Sequence, residues 1–145
     1  MPDAATDRSV LNDLERIVVA SVAITARALA DVGPDLTLIQ WRVLVLVDRP
    51  LGMPVGAIAA ALGAKIAATS RLIGRIRARG LVETRRSDDD ARVVLVSLTD
   101  RGLAVRRRVV NRRRRALRSA IADARLPADA ASTLDRLALV LEALG

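Results

Sequence analysis

The chain contains no cysteine, no histidine, no tyrosine and no phenylalanine, and Trp41 is its only aromatic residue. Without cysteine there are no disulfides, thiolate metal sites or cysteine redox switches, and without histidine the usual general base is missing. Stacking of unpaired bases on aromatic side chains is also excluded, since one aromatic residue cannot build such a platform. No glycine-rich phosphate loop or paired-carboxylate pattern is present in the sequence, so we expect no enzyme, no metal and no cofactor.

Long apolar runs are absent too. The longest, residues 17–26, is broken by Arg27 and is too short to cross a bilayer. The first residues are acidic rather than basic, so no signal peptide is predicted. We therefore expect a cytoplasmic protein without membrane association, and 145 residues suffice for one domain with its own core.

Arginine is the residue that the chain has in excess, and it is concentrated in the middle. The formal net charge is +8, and residues 64–118 hold 17 basic and 5 acidic residues, against 7 basic and 11 acidic ones elsewhere. A basic segment between acidic ends predicts a surface that binds a polyanion. A merely solvated face is an equally good interpretation of charge alone.

Hydrophobic spacing and turn residues predict a mainly α-helical chain with one small β-hairpin. The predicted helices span residues 8–31, 37–48, 55–62, 65–79, 99–123 and 128–144, and the hairpin strands span 81–86 and 92–97. This is the layout of a winged helix-turn-helix, with residues 65–79 as the recognition helix and the hairpin as the wing. In a chain of this charge, the layout indicates binding to DNA.

The helices outside this lobe are predicted to join two copies of the chain. We divide the sequence into an N-terminal helix (1–34), a winged helix-turn-helix lobe (35–99) and C-terminal helices (100–145). The last helix carries one apolar stripe, and both terminal segments are rich in leucine, alanine and valine. We favour a shared dimerisation domain, and the alternative is that these helices complete a monomeric core.

In the recognition helix, one face is predicted to be buried and the other to meet DNA. The buried face consists of Ile66, Thr69, Leu72, Ile73 and Ile76. The candidate DNA-binding residues are Lys65, Ala67, Ala68, Ser70, Arg71 and Arg75. Small side chains let the backbone approach the major groove, and arginines reach base edges or phosphates. An ordinary surface helix is the alternative.

The hairpin adds Arg86, Asp90 and Arg92 to the candidate DNA-binding residues. We expect the Asp90 carboxylate to hold the Arg92 guanidinium extended toward a narrow minor groove, whose negative potential attracts arginine. The alternative is a solvated salt bridge in a turn, which contributes little.

Four stretches together resemble the MarR family of bacterial winged helix regulators over almost the whole chain. They are DLTLIQWRVLVLV (35–47), VGAIAAALGA (55–64), TSRLIGRIRARGLVETR (69–85) and DARVVLVSLTDRG (90–102). The resemblance implies an obligate homodimer, held by its terminal helices, that binds pseudo-palindromic operators. It also implies that a small anionic or aromatic ligand, or an oxidant, lowers DNA affinity in many members.

The chain departs from the family pattern at four places, and one of them is Thr69, which occupies a position that is normally apolar. Lys65 stands where the family usually has a serine-like helix N-cap, which weakens the helix start by roughly 1 kcal/mol. Ala91 replaces the first arginine of the common Asp-Arg-Arg wing, so Arg92 is the single arginine at the tip. Ala67 and Ala68 offer few hydrogen bonds to base edges, so specificity depends more on thymine methyl groups, Ser70, Arg71 and DNA shape.

The helix after the wing contains eight arginines between residues 106 and 118. Six are predicted to face outward, where they attract phosphates or solubilise the helix: Arg107, Arg108, Arg112, Arg114, Arg115 and Arg118. Arg106 and Arg113 fall on the apolar face, where an unpaired guanidinium is too costly. We favour pairing with acids such as Asp13 or Glu15 across the interface. The sharper alternative is an effector site formed by Trp41, Arg106 and Arg113.

These observations predict a sequence-specific double-stranded DNA-binding transcriptional regulator. We expect a homodimeric repressor that a small-molecule ligand relieves. The alternative is a nucleoid-type architectural DNA-binding protein with low sequence specificity, which the arginine content and the small residues of the recognition helix also fit.

Overall fold

The computed structural model describes residues 4–32, 36–47 and 51–143. In chain order the elements are α1 (Ala4–Val32), α2 (Leu38–Leu46), β1 (Met53–Pro54), α3 (Val55–Ala61), α4 (Ile66–Ala78), β2 (Val82–Arg86), β3 (Val94–Leu98), α5 (Asp100–Ala124) and α6 (Ala130–Glu142). Every predicted helix and both predicted strands are present. The mainly α-helical fold with a small hairpin is therefore confirmed.

The sheet has one strand more than the hairpin that the sequence predicts. The short strand β1 pairs antiparallel with β3, which gives the order β1-β3-β2, and Met53 lies opposite Val96. A proline is tolerated in such an edge strand because no neighbour needs its missing N–H. Gly52 has a φ of +78°, and a Cβ there would lie 3.0 Å from the Val96 carbonyl oxygen. This glycine therefore lets the chain enter the sheet close to β3.

The core of the molecule lies in the lobe formed by α2, α3, α4 and the sheet, with α5 packed against it. Its most deeply buried apolar side chains are Val43, Leu44, Val47, Ile58, Ile76, Val82, Val96 and Val109. They come from the helices and strands of the lobe, and Val109 comes from α5. The lobe and the first turns of α5 thus share one core, which fixes α4 and the wing relative to each other.

The residue between β3 and α5 joins three parts of the lobe. The Thr99 hydroxyl accepts a hydrogen bond from the Gly102 N–H (3.0 Å) and donates one to the Gly80 carbonyl at the end of α4 (2.7 Å). A Cβ on Gly102 would lie 1.9 Å from the Leu81 carbonyl oxygen, so α5 starts in direct contact with the chain that enters β2. The Leu-Thr-X-X-Gly sequence therefore caps α5 and holds it against the wing.

Apolar side chains outside the lobe are largely exposed. They belong to α1, to the distal half of α5 and to α6: Val10, Leu11, Ile17, Val18, Val19, Val22, Leu117, Ile121, Leu134, Leu139, Val140 and Leu141. In α6, which has 13 residues, no residue is buried. A single chain thus leaves most of its terminal apolar surface in water, which is unfavourable.

Candidate nucleic-acid interface

Helices α3 and α4 form a helix-turn-helix. Their axes differ by 106°, which is within the range of roughly 90–120° typical of this motif. The turn between them contains Gly63 with a φ of +59°, and the Gly63 N–H donates to the Ala60 carbonyl (3.0 Å). The second helix of the motif, α4, is the one that enters a DNA groove in proteins that use it.

Helix α4 presents two distinct faces. Thr69, Leu72, Ile73 and Ile76 are buried, as predicted. The candidate DNA-binding residues of this helix and of its N-cap are all exposed: Lys65, Ala67, Ala68, Ser70, Arg71 and Arg75. Small side chains and two arginines thus share one open surface, and their contacts with DNA stay a prediction.

The assignment of Ile66 to the buried face is wrong. Ile66 is 61% exposed, because it lies at the edge of the apolar sector, on the stripe that continues through Ser70 and Gly74. This stripe faces the groove between α4 and the wing instead of the core.

The start of α4 has no side-chain cap. Lys65 occupies the N-cap position and makes no side-chain hydrogen bond there, as the departure from the family pattern predicts. One turn later, the buried Thr69 hydroxyl has no hydrogen-bond partner among the described residues. The recognition helix thus begins without a side-chain cap and contains one buried hydroxyl that no described residue satisfies.

At the tip of the wing, Asp90 orders the backbone and does not hold the Arg92 guanidinium. The Asp90 carboxylate accepts a hydrogen bond from the Arg92 backbone N–H (2.9 Å), which is the geometry of an Asx-turn. The expected carboxylate–guanidinium contact is therefore wrong, since the turn directs the carboxylate to the main chain. The Arg92 residue is exposed beside the tip.

Other polar residues of the wing brace the same turn. Arg86 donates to the Ala91 carbonyl, and the Asp88 carboxylate accepts from Arg85 (3.4 Å). Two of the three consecutive acids, Asp88 and Asp90, thus have carboxylates with local hydrogen-bond partners. The Asp88 side chain is 96% exposed, so this surface pair with Arg85 contributes little to stability.

A groove with a volume of about 670 Å³ runs between α4 and the wing. The side chains that line it include Ile66, Ser70 and Arg77 from α4 and Thr84 and Arg92 from the sheet and wing. The structure thus brings the recognition helix and the wing arginine, which the sequence predicted separately, to one surface.

Two arginines at the end of α4 are positioning residues that sequence reasoning missed. Arg77 donates to the Thr84 hydroxyl of β2 (3.1 Å), and Arg79 donates to the Gln40 side-chain oxygen (3.2 Å). Gln40 also forms a capping box with Thr37 at the start of α2. These bonds fix the orientation of α4 against both neighbours. The presence of basic residues in the last helical turn was visible in the sequence, but their partners are distant in the chain.

The residues of the proposed effector site do not surround one evident cavity in the described part of the chain. Trp41 is 6% exposed and belongs to the core, while Arg106 and Arg113 are half-buried on α5. The Arg113 Nε atom is buried without a hydrogen-bond partner among the described residues. Asp13, one of the suggested partners, pairs with Arg16 in its own helix (3.0 Å). Both interpretations of the two arginines stay predictions.

One of the outward arginines of α5 has a defined partner. Arg112 binds the Asp31 carboxylate of α1 through both Nε and Nη2, each at 2.7 Å. Arg112, Asp31, Arg27 and Arg115 also line a cavity of about 350 Å³ between α1 and α5. This arginine therefore joins two helices and does not serve only as a solvated charge.

No single helix in the described ranges has the length and apolarity needed to cross a membrane. By length and composition alone, only the pair α3 and α4 passes such a test, and that pair is bent by 106°.

Residues 35–93 match the model of the MarR family. The chain is 32% identical over 81 residues to the uncharacterised HTH-type transcriptional regulator YfiV of Bacillus subtilis, a stretch that covers 53% of this chain and 51% of that protein. It thus spans about half the length of this relative.

Solved structures extend the likeness to the whole chain. One such structure is the PcaV transcriptional regulator from Streptomyces coelicolor, solved with its natural ligand. It aligns with this chain with a TM-score of 0.65 and 27% sequence identity, over 100% of this chain and 99% of the PcaV chain. FabT from Streptococcus pneumoniae, solved in complex with DNA, has a TM-score of 0.70 and 18% identity over 95% of this chain and 99% of its own. The winged helix lobe thus matches the MarR family over residues 35–93, and the fold of the whole chain is similar to that of solved transcriptional regulators such as PcaV.

Proposed function

We propose that this protein is a homodimeric, sequence-specific transcriptional repressor that binds double-stranded DNA. The observation that carries the proposal is the open surface of α4, where Ala67, Ser70, Arg71 and Arg75 are exposed beside Arg92 of the wing. In this arrangement α4 reads base edges in the major groove, and Arg92 occupies the adjacent minor groove. The DNA complex of FabT, which has the same fold, supports this assignment.

The second part of the proposal is that two copies act together. Support comes from α6, which buries none of its 13 residues within one chain, and from the apolar side chains that α1 and α5 leave exposed. Burying this surface against a second copy removes it from water. The dimer then presents two α4 helices to successive major grooves, roughly 34 Å apart.

The third part is relief of repression by a small ligand. The ligand complex of PcaV supports the idea for this fold, and Arg113 offers a buried guanidinium nitrogen without a partner among the described residues. A ligand that prefers one separation of the two lobes lowers DNA affinity through that difference in affinity. The ligand class proposed is a small anion, which Arg106 and Arg113 would bind.

The recognition surface is tested by alanine variants measured on a duplex that the wild-type protein selects from a random pool. Arg71→Ala is expected to bind about tenfold or more weakly and to relax the preference at one base position. Arg92→Ala is expected to weaken binding to all sequences alike and to lower the salt slope by about 1 for each phosphate that the side chain neutralises. Fluorescence anisotropy titrations at several salt concentrations measure both effects.

Arg42→Ala is the matched control, because Arg42 is an exposed arginine of the same lobe on α2. Its affinity and salt slope should equal those of the wild type. If Arg71→Ala and Arg92→Ala also bind like the wild type, the proposed recognition surface is wrong.

A nucleoid-type architectural role is the second candidate, and the arginines of α5 favour it. Arg107, Arg108, Arg114 and Arg115 are exposed and add attraction to phosphates that does not depend on sequence. The two functions are distinguished by the same titrations. A steep salt slope with equal affinity for selected and random duplexes supports the architectural role, and a preference of about a thousandfold or more supports the repressor.

A further inference from the structure

The N-terminal end of α4 carries an exposed apolar side chain. Ile66 is the first residue of α4 and is 61% exposed. The N-terminal residues of a recognition helix are the ones that contact base edges. Ile66 thus occupies a reading position, although its side chain has no group that can form a hydrogen bond.

The groove around Ile66 is lined mainly by apolar and small residues, together with two arginines. This is the groove of about 670 Å³ between α4 and the wing, where the described lining residues include Arg77 and Arg92 and no carboxylate. Ser70 and Gly74 continue the same stripe along α4, and a Cβ on Gly74 would meet no atom within 4 Å. Because these neighbours are small, a DNA groove can approach the helix closely enough to contact the Ile66 side chain.

The chemistry of the major groove leaves one partner for such a side chain. Base edges there present hydrogen-bond donors and acceptors, and the single apolar group is the C5-methyl of thymine. Phosphates give an isoleucine no favourable contact, whereas packing against a methyl group removes apolar surface of both partners from water.

We propose that Ile66 is a specificity-determining residue that contacts a thymine methyl group in each half-site of the operator. The proposal deepens the proposed function and rests on it. It implies that a thymine recurs at one fixed position of every duplex that the protein selects.

The test removes the methyl group alone, by replacing individual thymines of a selected duplex with uracil. For wild-type protein, one replacement in a half-site is expected to lower the affinity about fourfold, the effect of leaving one methyl group without its apolar partner. For Ile66→Ala, the same replacement is expected to have no effect. The thermal unfolding midpoint of this variant should equal that of the wild type, since the side chain lies mostly in water.

Ile39→Ala is the control, because Ile39 is 48% exposed and lies on α2 beside Gln40, which binds the opposite end of α4 through Arg79. This variant should keep the full difference between thymine and uracil.

Two results would overturn the assignment while leaving the proposed function intact: uracil without effect at every position of the wild-type complex, or an unchanged uracil effect in Ile66→Ala. Failure of the wild-type protein to select any duplex would overturn the proposed function itself, and the inference with it.

Discussion

Thr69 is a buried polar residue of the recognition helix whose hydroxyl no described residue satisfies. It is 1% exposed, and its oxygen has no hydrogen-bond partner in the described part of the chain. An unsatisfied buried hydroxyl costs about 1–3 kcal/mol. Thr69→Val, which replaces the hydroxyl with a methyl group of similar size, is therefore expected to raise the free energy of unfolding by about 1 kcal/mol. Urea denaturation followed by circular dichroism measures the change.

Thr25 supplies the control for this substitution. It is 7% exposed and helical as well, but its hydroxyl donates to the Ser21 carbonyl (2.9 Å). Thr25→Val should leave the stability unchanged or lower it, because a satisfied hydroxyl is removed. If both variants respond alike, the unsatisfied hydroxyl of Thr69 does not explain the result.

At the scale of the element, two helical glycines have opposite roles. A Cβ on Gly74 in α4 would meet nothing within 4 Å, whereas one on Gly102 in α5 would lie 1.9 Å from the Leu81 carbonyl oxygen. Gly74→Ala is expected to stabilise the protein by about 0.5–1 kcal/mol, because glycine is unfavourable inside a helix. Gly102→Ala is expected to destabilise it by about 1–3 kcal/mol or more. Thermal unfolding measures both effects. Midpoints that shift in the same direction for the two variants would contradict this account.

The helices and the wing could be predicted because their signals are local. Amphipathic spacing marks α4 and α5, and Gly80 ends α4 before the β-branched residues of β2. The strand β1 could not be predicted, because two residues are too few to show the alternation of apolar and polar side chains and one of them is a proline. The pairing of strands across the sheet depends on contacts that the spacing of residues does not reveal.

The sequence predicted which residues belong to the candidate site, but it did not predict which contacts they make. The exposed residues of α4 follow from helical geometry, whereas Ile66 lies at the edge of the apolar sector, where helical spacing alone does not decide between burial and exposure. The Asp90 carboxylate can accept a hydrogen bond from a guanidinium or from a backbone N–H. The geometry of the turn places it against the backbone N–H of Arg92. The pair Arg112–Asp31 joins residues 81 positions apart, a distance over which local patterns carry no information.

At the scale of the whole molecule, the account requires that α6 pack against a second copy. Val140 is 60% exposed in one chain, and in the proposed dimer it lies in an apolar interface. Val140→Glu is expected to yield monomers, because the interface would desolvate an unpaired carboxylate. Ile39→Glu, a change of the same kind at a site that is 48% exposed on α2, should stay dimeric. Sedimentation equilibrium distinguishes the two, and two dimeric variants would show that α6 is not the interface.

The central claim is that two chains place their α4 helices on one duplex, and the mass of the complex tests it most directly. Native mass spectrometry of the wild-type protein with a selected duplex is predicted to give two chains per duplex, with no species that contains one chain, even when DNA is in excess. A complex with a single chain per duplex at low salt, or no complex at all, would contradict the account.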